Sequence, residues 1–344
     1  AAIASQSLTA QSLILVGERA SESAGALSAV AALASQSGAK LAWIPRRAGE
    51  RGALEAGAIG NLLPGGRPVT DAGARVDLAS AWSVAAVPTT VGRSTKEIIS
   101  AVNSGEINAL VVGGVDPLDL ENSTETFSAL KKAFVVSLEI APSAVTERAD
   151  VVLPVAAVTE KSGSFLNWTG SARAFDAAVA DSLNRSDVRI LSMIADALGK
   201  TISLGTVSAA AREIASIGPW DGARAPFTAT PARGAATLAT DEALITSWRR
   251  LLDLGTLQKG EENLAGTARQ TVAVISPKRA SSIGVKTGDQ ISISNAQGSV
   301  VLPVLIEDIH DDAVWAPRNS RGSELLTKLG NAHGARSEEH TSEL

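Results

Sequence analysis

ADVVLPVAAVTEKSGSFLNWTGSARAF, residues 149–175, opens with a short apolar run, Val151-Val152-Leu153, that stops at Pro154. A run of that length is a strand, and proline has no amide proton to continue the ladder. The chain then turns polar over Thr159, Glu160, Lys161, Ser162 and Gly163. A second apolar patch, Phe165-Leu166, leads into Asn167, Trp168 and Gly170. In open α/β sheets, ligands sit outside the carboxyl ends of the strands. Two readings therefore stand side by side: a loop that meets a ligand, and a core strand followed by an ordinary surface loop.

Working outward, the same stretch resembles the signature of the molybdopterin oxidoreductase superfamily. The matching residues are Ala149, Asp150 and Pro154, then Glu160, Gly163, Asn167, Gly170 and Arg173. Three further stretches resemble one branch of it, the G subunits of NADH-quinone oxidoreductase (respiratory complex I). They are WIPRRAGERGALEAGAIGNLLPGGRPV (43–69), ALVVGGVDPLDL (109–120) and WRRLLDLGTLQKGEENLAGTAR (248–269). The resemblance runs to about Gly334.

The resemblance implies a mainly parallel, Rossmann-like α/β domain followed by a small double-psi β-barrel. The barrel rests on KRASSIGVKTGDQISISNAQGSVVLPV, residues 278–304. In cofactor-bearing relatives, the loops after Gly114 and after Pro154 contact a pterin dinucleotide. Gly113, Gly114, Asp150, Glu160, Gly163, Asn167, Gly170 and Arg173 are thus candidates for a vestigial cofactor cleft. Such relatives often carry two hydroxyl residues in the approach to Asp150. This chain has Ser143 and Val145 there, so a bound molybdopterin is not expected.

The G-subunit branch implies a structural and partner-docking role in the peripheral arm that carries electrons from NADH towards quinone. The arm's other subunits would be the partners, on the cytoplasmic side of a bacterial inner membrane. The [2Fe–2S] and [4Fe–4S] clusters would lie in a cysteine-rich part outside this chain, which is expected to begin within a longer protein. Two alternatives remain: a fragment of a catalytic molybdopterin oxidoreductase, such as a formate dehydrogenase or nitrate reductase, and a free-standing small-ligand-binding α/β module.

Composition is consistent with a globular chain. At 344 residues it exceeds one ordinary domain. With 3% aromatics and no Tyr, its core must come from Val, Leu, Ile and Ala. A net charge of −5 gives no sign of nucleic-acid binding. No apolar run approaches the roughly 20 residues of a membrane span. The absence of Cys excludes disulfides and Cys-held metal or iron–sulfur centres within this chain. His310, His333 and His340 lack the spacing of a metal site.

No Ser-His-Asp set, paired glutamates on one helix face or Walker-type loop is apparent. Asp150 and Glu160 are the best-placed carboxylates, with capping and loop pinning set against acid–base work. The basic run RRAGER (46–51) reads either as an anion or partner contact or as a solvated loop.

Taken in order, apolar runs predict strands at Leu13–Val16, Leu41–Ile44, Ala109–Val112, Phe134–Val136 and Val151–Leu153, all in one sheet and buried as parallel strands are. Helices are expected over 21–37, 53–59, 71–81, 94–103, 124–132, 187–198, 207–216 and 241–253. Ser94 and Glu97 form a capping box. Period-two alternation begins after Arg269. The domains expected are residues 1–240, a helix and linker over 241–268, and a barrel over 269–335. The tail RSEEHTSEL (336–344) reads as a translated library-adapter scar and is expected to pack on nothing.

Overall fold

The computed structural model describes residues 8–45, 49–120, 122–179, 181–202, 204–225, 227, 229–231, 238–239, 242–330 and the strand 336–341. Contacts divide the chain into two units: Ala1–Gly114 with Ala129–Ala232, and Val115–Ser128 with Arg233–Leu344.

In the first unit β1 (Leu13–Gly17) and β2 (Lys40–Ile44) pair in parallel, joined through the helix Ala26–Ser37. Gly38, at φ 74°, stops that helix in the left-handed conformation glycine tolerates best. A short hairpin of β3 (Leu62–Leu63) and β4 (Arg67–Pro68) follows. Then β5 (Ala109–Gly113), β6 (Phe134–Glu139) and β7 (Val151–Pro154) form a parallel sheet in that order. An antiparallel hairpin of β8 (Gly163–Leu166) and β9 (Ala172–Phe175) comes after it. The five apolar runs are all strands, as expected, but they form two sheets rather than one. Periodicity marks a segment as a strand without specifying its long-range partner.

The strands are also less covered than expected. Burial alternates along β5, and Val111 (65% exposed) and Phe134 (52%) leave one face of that sheet open. Pro154 is the last residue of β7, as its missing amide dictates.

Helix ends follow local chemistry. The Asp71 carboxylate accepts from Ala74 N at 2.8 Å and caps the helix Ala72–Ala81. Ser94 and Glu97 make the expected capping box on Thr95–Asn103. The helices Ser123–Lys132, Asp187–Ala197 and Val207–Ile217 also form where expected. Arg46 and Arg47 of the basic run lie outside the described residues, and Arg51 pairs with Glu55 at 2.5 Å.

One side chain ties distant parts of this unit together. Arg67 is 4% exposed. Its Nε donates to Asp77 at 2.8 Å, its Nη1 to the carbonyls of Pro64 and Gly218, each at 2.9 Å, and its Nη2 to that of Ile217 at 3.0 Å. Its guanidinium also lies 5.7 Å from the centre of the Trp220 ring. The Pro-Gly-Gly turn is thereby fixed to the end of the helix Val207–Ile217.

The second unit is a closed barrel. Its strands are β10 (Glu242–Thr246), β11 (Ala273–Ile275), β12 (Gln290–Asn295), β13 (Gly298–Ile306), β14 (Ala313–Trp315) and β15 (Arg336–Thr341), ordered β10-β14-β11-β13-β12-β15. Ala243, Ile245, Ile275, Ile291, Ile293, Val304 and Leu325 fill its core.

Two expectations are corrected here. The helix expected over 241–253 is instead the strand β10, so the barrel begins before Arg269. Ala243 and Ile245 point inward at period two, whereas Trp248, Leu251 and Leu252 had suggested a helical face. The tail, expected to pack on nothing, supplies β15, which pairs antiparallel with both β10 and β12. Backbone pairing in a closed barrel does not require an apolar sequence, so composition concealed the strand.

Candidate functional site

The signature residues fall into four places in the first unit. Gly113 ends β5 and Gly114 follows it, at the carboxyl edge of the parallel sheet. Gly114 takes φ 63°, and its amide bonds the Leu138 carbonyl at 3.3 Å. Asp150 stands before β7, at the opposite edge, about 13 Å away along the strand by the usual rise per residue. Its Oδ2 accepts from Val135 N at 2.7 Å, which ties the start of β7 to that of β6. The structure therefore does not bring Asp150 to the edge where Gly113 and Gly114 lie.

Glu160 follows β7 in a short helical turn. Its carboxylate accepts from Ala157 N (2.8 Å), Ser182 Oγ (2.7 Å) and Asn184 Nδ2 (3.0 and 3.1 Å). The Ala157 amide, then the Ser182 hydroxyl and the Asn184 amide, hold its pKa below the ordinary glutamate value. Beside this pin, Ala156 N bonds the Arg185 carbonyl at 2.8 Å. Ser182 and Asn184 were missed from sequence. They lie more than twenty residues downstream, in a polar stretch with no period to draw attention.

Gly163, Asn167, Gly170 and Arg173 belong to the hairpin of β8 and β9, where sequence had suggested only a loop. Gly163 faces Phe175, whose ring stacks on Phe165 at 5.2 Å. A Cβ at Gly163 would lie 2.6 Å from that ring, so a larger residue must displace it. Asn167 Oδ1 accepts from Thr169 N (3.0 Å), Thr169 Oγ1 (2.7 Å) and Ser171 N (2.9 Å), and so organises the turn. Gly170 completes the turn at φ 84°. Arg173 is exposed, and its Nη1 bonds the Ala172 carbonyl at 2.9 Å.

A pterin dinucleotide needs free amides and cations converging on its phosphates. The carboxylates of Asp150 and Glu160 and the Oδ1 of Asn167 are already engaged within the chain. The Gly170 amide bonds the Asn167 carbonyl at 2.9 Å. The Ser143 hydroxyl accepts from the amides of Val145 and Thr146, each at 3.2 Å, and Val145 is fully buried. Among the described residues, no group of three or more His, Cys, Asp or Glu is placed to hold a metal ion. His310 is exposed and accepts from Asp312 N, while His333 lies outside the described residues.

Comparison with known proteins agrees with the signature. Residues 3–197 match the family model "Molybdopterin oxidoreductase", and residues 245–338 match "Molydopterin dinucleotide binding domain". The chain is 46% identical to the G subunit of the NADH-quinone oxidoreductase of Mycobacterium tuberculosis, over 93% of its own length and 40% of that protein. It is 46% identical to the corresponding G subunit of Streptomyces coelicolor, over 95% of its length and 40% of that protein. Formate dehydrogenase H of Escherichia coli is 30% identical over 43% of the chain and 21% of that protein. The chain thus spans about two fifths of the length of the G-subunit relatives it matches. With more than half of its residues within the first model and the signature folded as described, the chain belongs to the molybdopterin oxidoreductase family.

Proposed function

We propose that this chain is a structural and partner-docking region of the G subunit of an NADH-quinone oxidoreductase, without a redox centre of its own. The 46% identity over nearly the whole chain to relatives bearing that name carries the reading. The internally engaged signature supports it, since Glu160, Asn167 and Asp150 all act as pins within the fold. Iron–sulfur clusters would belong to the part of the protein outside this chain. Its neighbours would be the other peripheral-arm subunits, on the cytoplasmic face of the membrane. Among the described residues no helix is long and apolar enough to cross a membrane.

The test is to purify the full-length subunit, assay iron and molybdenum by elemental analysis, and assay pterin by fluorescence after oxidation. Iron without molybdenum or pterin is the expected outcome. Stoichiometric molybdenum and pterin would favour the second reading, a fragment of a catalytic molybdopterin oxidoreductase. The likeness to formate dehydrogenase H is the observation behind that reading.

A further inference from the structure

Beyond β10 the chain runs through Trp248, Arg249, Arg250 and Leu251, and the two arginines have opposite surroundings. Arg249 binds Asp253 through Nε at 2.8 Å and Asp119 through Nη1 and Nη2, each at 3.0 Å. Burial pulls its pKa down, but the two carboxylates outweigh burial and the net direction is up. Arg250 lies over the Trp315 ring at 5.2 Å, and Trp248 packs on the same ring at 4.9 Å. Its Nη1 donates only to carbonyls, those of Arg269 (2.9 Å) and Gln270 (2.7 Å). Burial and the positive charge of Arg269 both push its pKa down. Among the described residues no carboxylate pairs with Arg250 or Arg269. Arg250 thus packs on the backbone of Arg269 with neither guanidinium held by a carboxylate, in a chain whose net charge is negative.

Next to this pair is an apolar display. Leu251 is 90% exposed and Leu257 is 87% exposed. The segment carrying them is held by its own hydrogen bonds. Gln258 Nε2 donates to the Leu251 carbonyl at 2.5 Å, and Gln258 Oε1 accepts from Asp253 N at 3.0 Å. Asp253 Oδ1 accepts from Gly255 N at 2.7 Å, and Leu254 N bonds the Asn319 carbonyl at 2.9 Å. The leucines are therefore presented outward by an ordered loop.

We propose that this surface docks an acidic, amphipathic segment of another subunit of the complex. A carboxylate of that segment seats on Arg250 and Arg269, and its apolar side chains cover Leu251 and Leu257. The assignment rests on the reading of the chain as part of a G subunit. Charge complementarity selects the occupant: a free anion would leave the leucines bare, and an isologous contact with a second copy would bring like charges together. Desolvated beside Trp315, Arg250 is the kind of aromatic-backed arginine that dominates interface energies.

The test uses the full-length subunit, expressed with the rest of its complex and recovered through a tag on another subunit. Three forms are compared: wild type, Arg250→Glu with Arg269→Glu, and Leu251→Ser with Leu257→Ser. The leucine pair makes no side-chain hydrogen bond, so that variant keeps the test valid should the arginine pair disturb the barrel. Each double variant is expected to reduce co-purification by about tenfold, as loss of a buried charge contact or an apolar anchor does. A photo-crosslinker in place of Leu257 is expected to label a segment with Asp or Glu among apolar residues. Wild-type recovery by both variants overturns the docking surface alone, as does labelling of a second copy or of a basic segment. Failure of the wild-type subunit to co-purify overturns both the docking surface and the function proposed above.

Discussion

Asn184 reaches both oxygens of the Glu160 carboxylate, with Nδ2 3.0 Å from Oε1 and 3.1 Å from Oε2. With Ser182 Oγ and Ala157 N, it makes the loop after β7 depend on an ionised Glu160. A carboxyl with a depressed folded pKa adds stability above its unfolded value, and that stability is lost as pH falls through the folded one. Glu160→Gln should therefore melt below wild type at neutral pH, and the gap should close as pH falls below the ordinary glutamate value of 4.5. Melting curves across pH check this. A gap of constant size would show that the ionised carboxylate is not what matters.

Gly163 should reject even one methyl group. In Gly163→Ala the new Cβ meets the Phe175 ring, which is already stacked on Phe165, and overpacking of this kind costs about 1–2 kcal/mol at a partly exposed site. Adding Phe175→Leu shortens the obstructing side chain and should recover part of the loss. Urea titration of the single and double variants measures both steps.

Arg67→Ala should be among the most damaging single changes in the first unit. It strips three carbonyls and Asp77 of their donor, at about 2–3 kcal/mol. Arg67→Lys should not rescue it, since one ammonium cannot span sites arranged around a planar fork. Asp77→Asn should cost less than about 1 kcal/mol, because Asp77 is half exposed. Equal losses from Arg67→Ala and Asp77→Asn in denaturant titrations would mean that the ion pair, rather than the carbonyl bonds, dominates.

The barrel's last strand offers a sharper test. The sequence of β15, RSEEHT, contains no Val, Ile, Leu or aromatic residue. Yet positions 337, 339 and 341 are paired with Ala243, Ile293 and Ile291, all with 0% exposure. Deleting residues 336–344 should lower the melting temperature by opening β10 and β12. An unchanged melting temperature on deletion would remove β15 from the barrel.

Much of the fold was legible because local chemistry encodes it. Asp71 and Ser94 announced helix starts, and the apolar runs at Leu13, Ala109 and Phe134 announced strands. What failed was either ambiguous or long-range. The stretch around Leu244 satisfies both a helical and an alternating pattern, and only closure of the barrel decides between them. The hairpin around Asn167 and Gly170 carries a turn signal, but no alternation flanks it. At the candidate site, the signature residues were legible by type. Their partners Ser182, Asn184 and Val135 were not, because a hydrogen bond to a distant amide leaves no trace in spacing.

Arg67 also sets a clock. Its Gly218 partner lies 151 residues further along the chain. At the usual pace of synthesis, roughly 8–30 s separate the two residues' appearance. Residues 115–128, which join the other unit, emerge in between. The first unit therefore cannot lock its Pro-Gly-Gly turn as it leaves the ribosome. For that interval the nascent chain holds an unfinished fold, and slowing translation between residues 67 and 218 lengthens its exposure to proteases and chaperones.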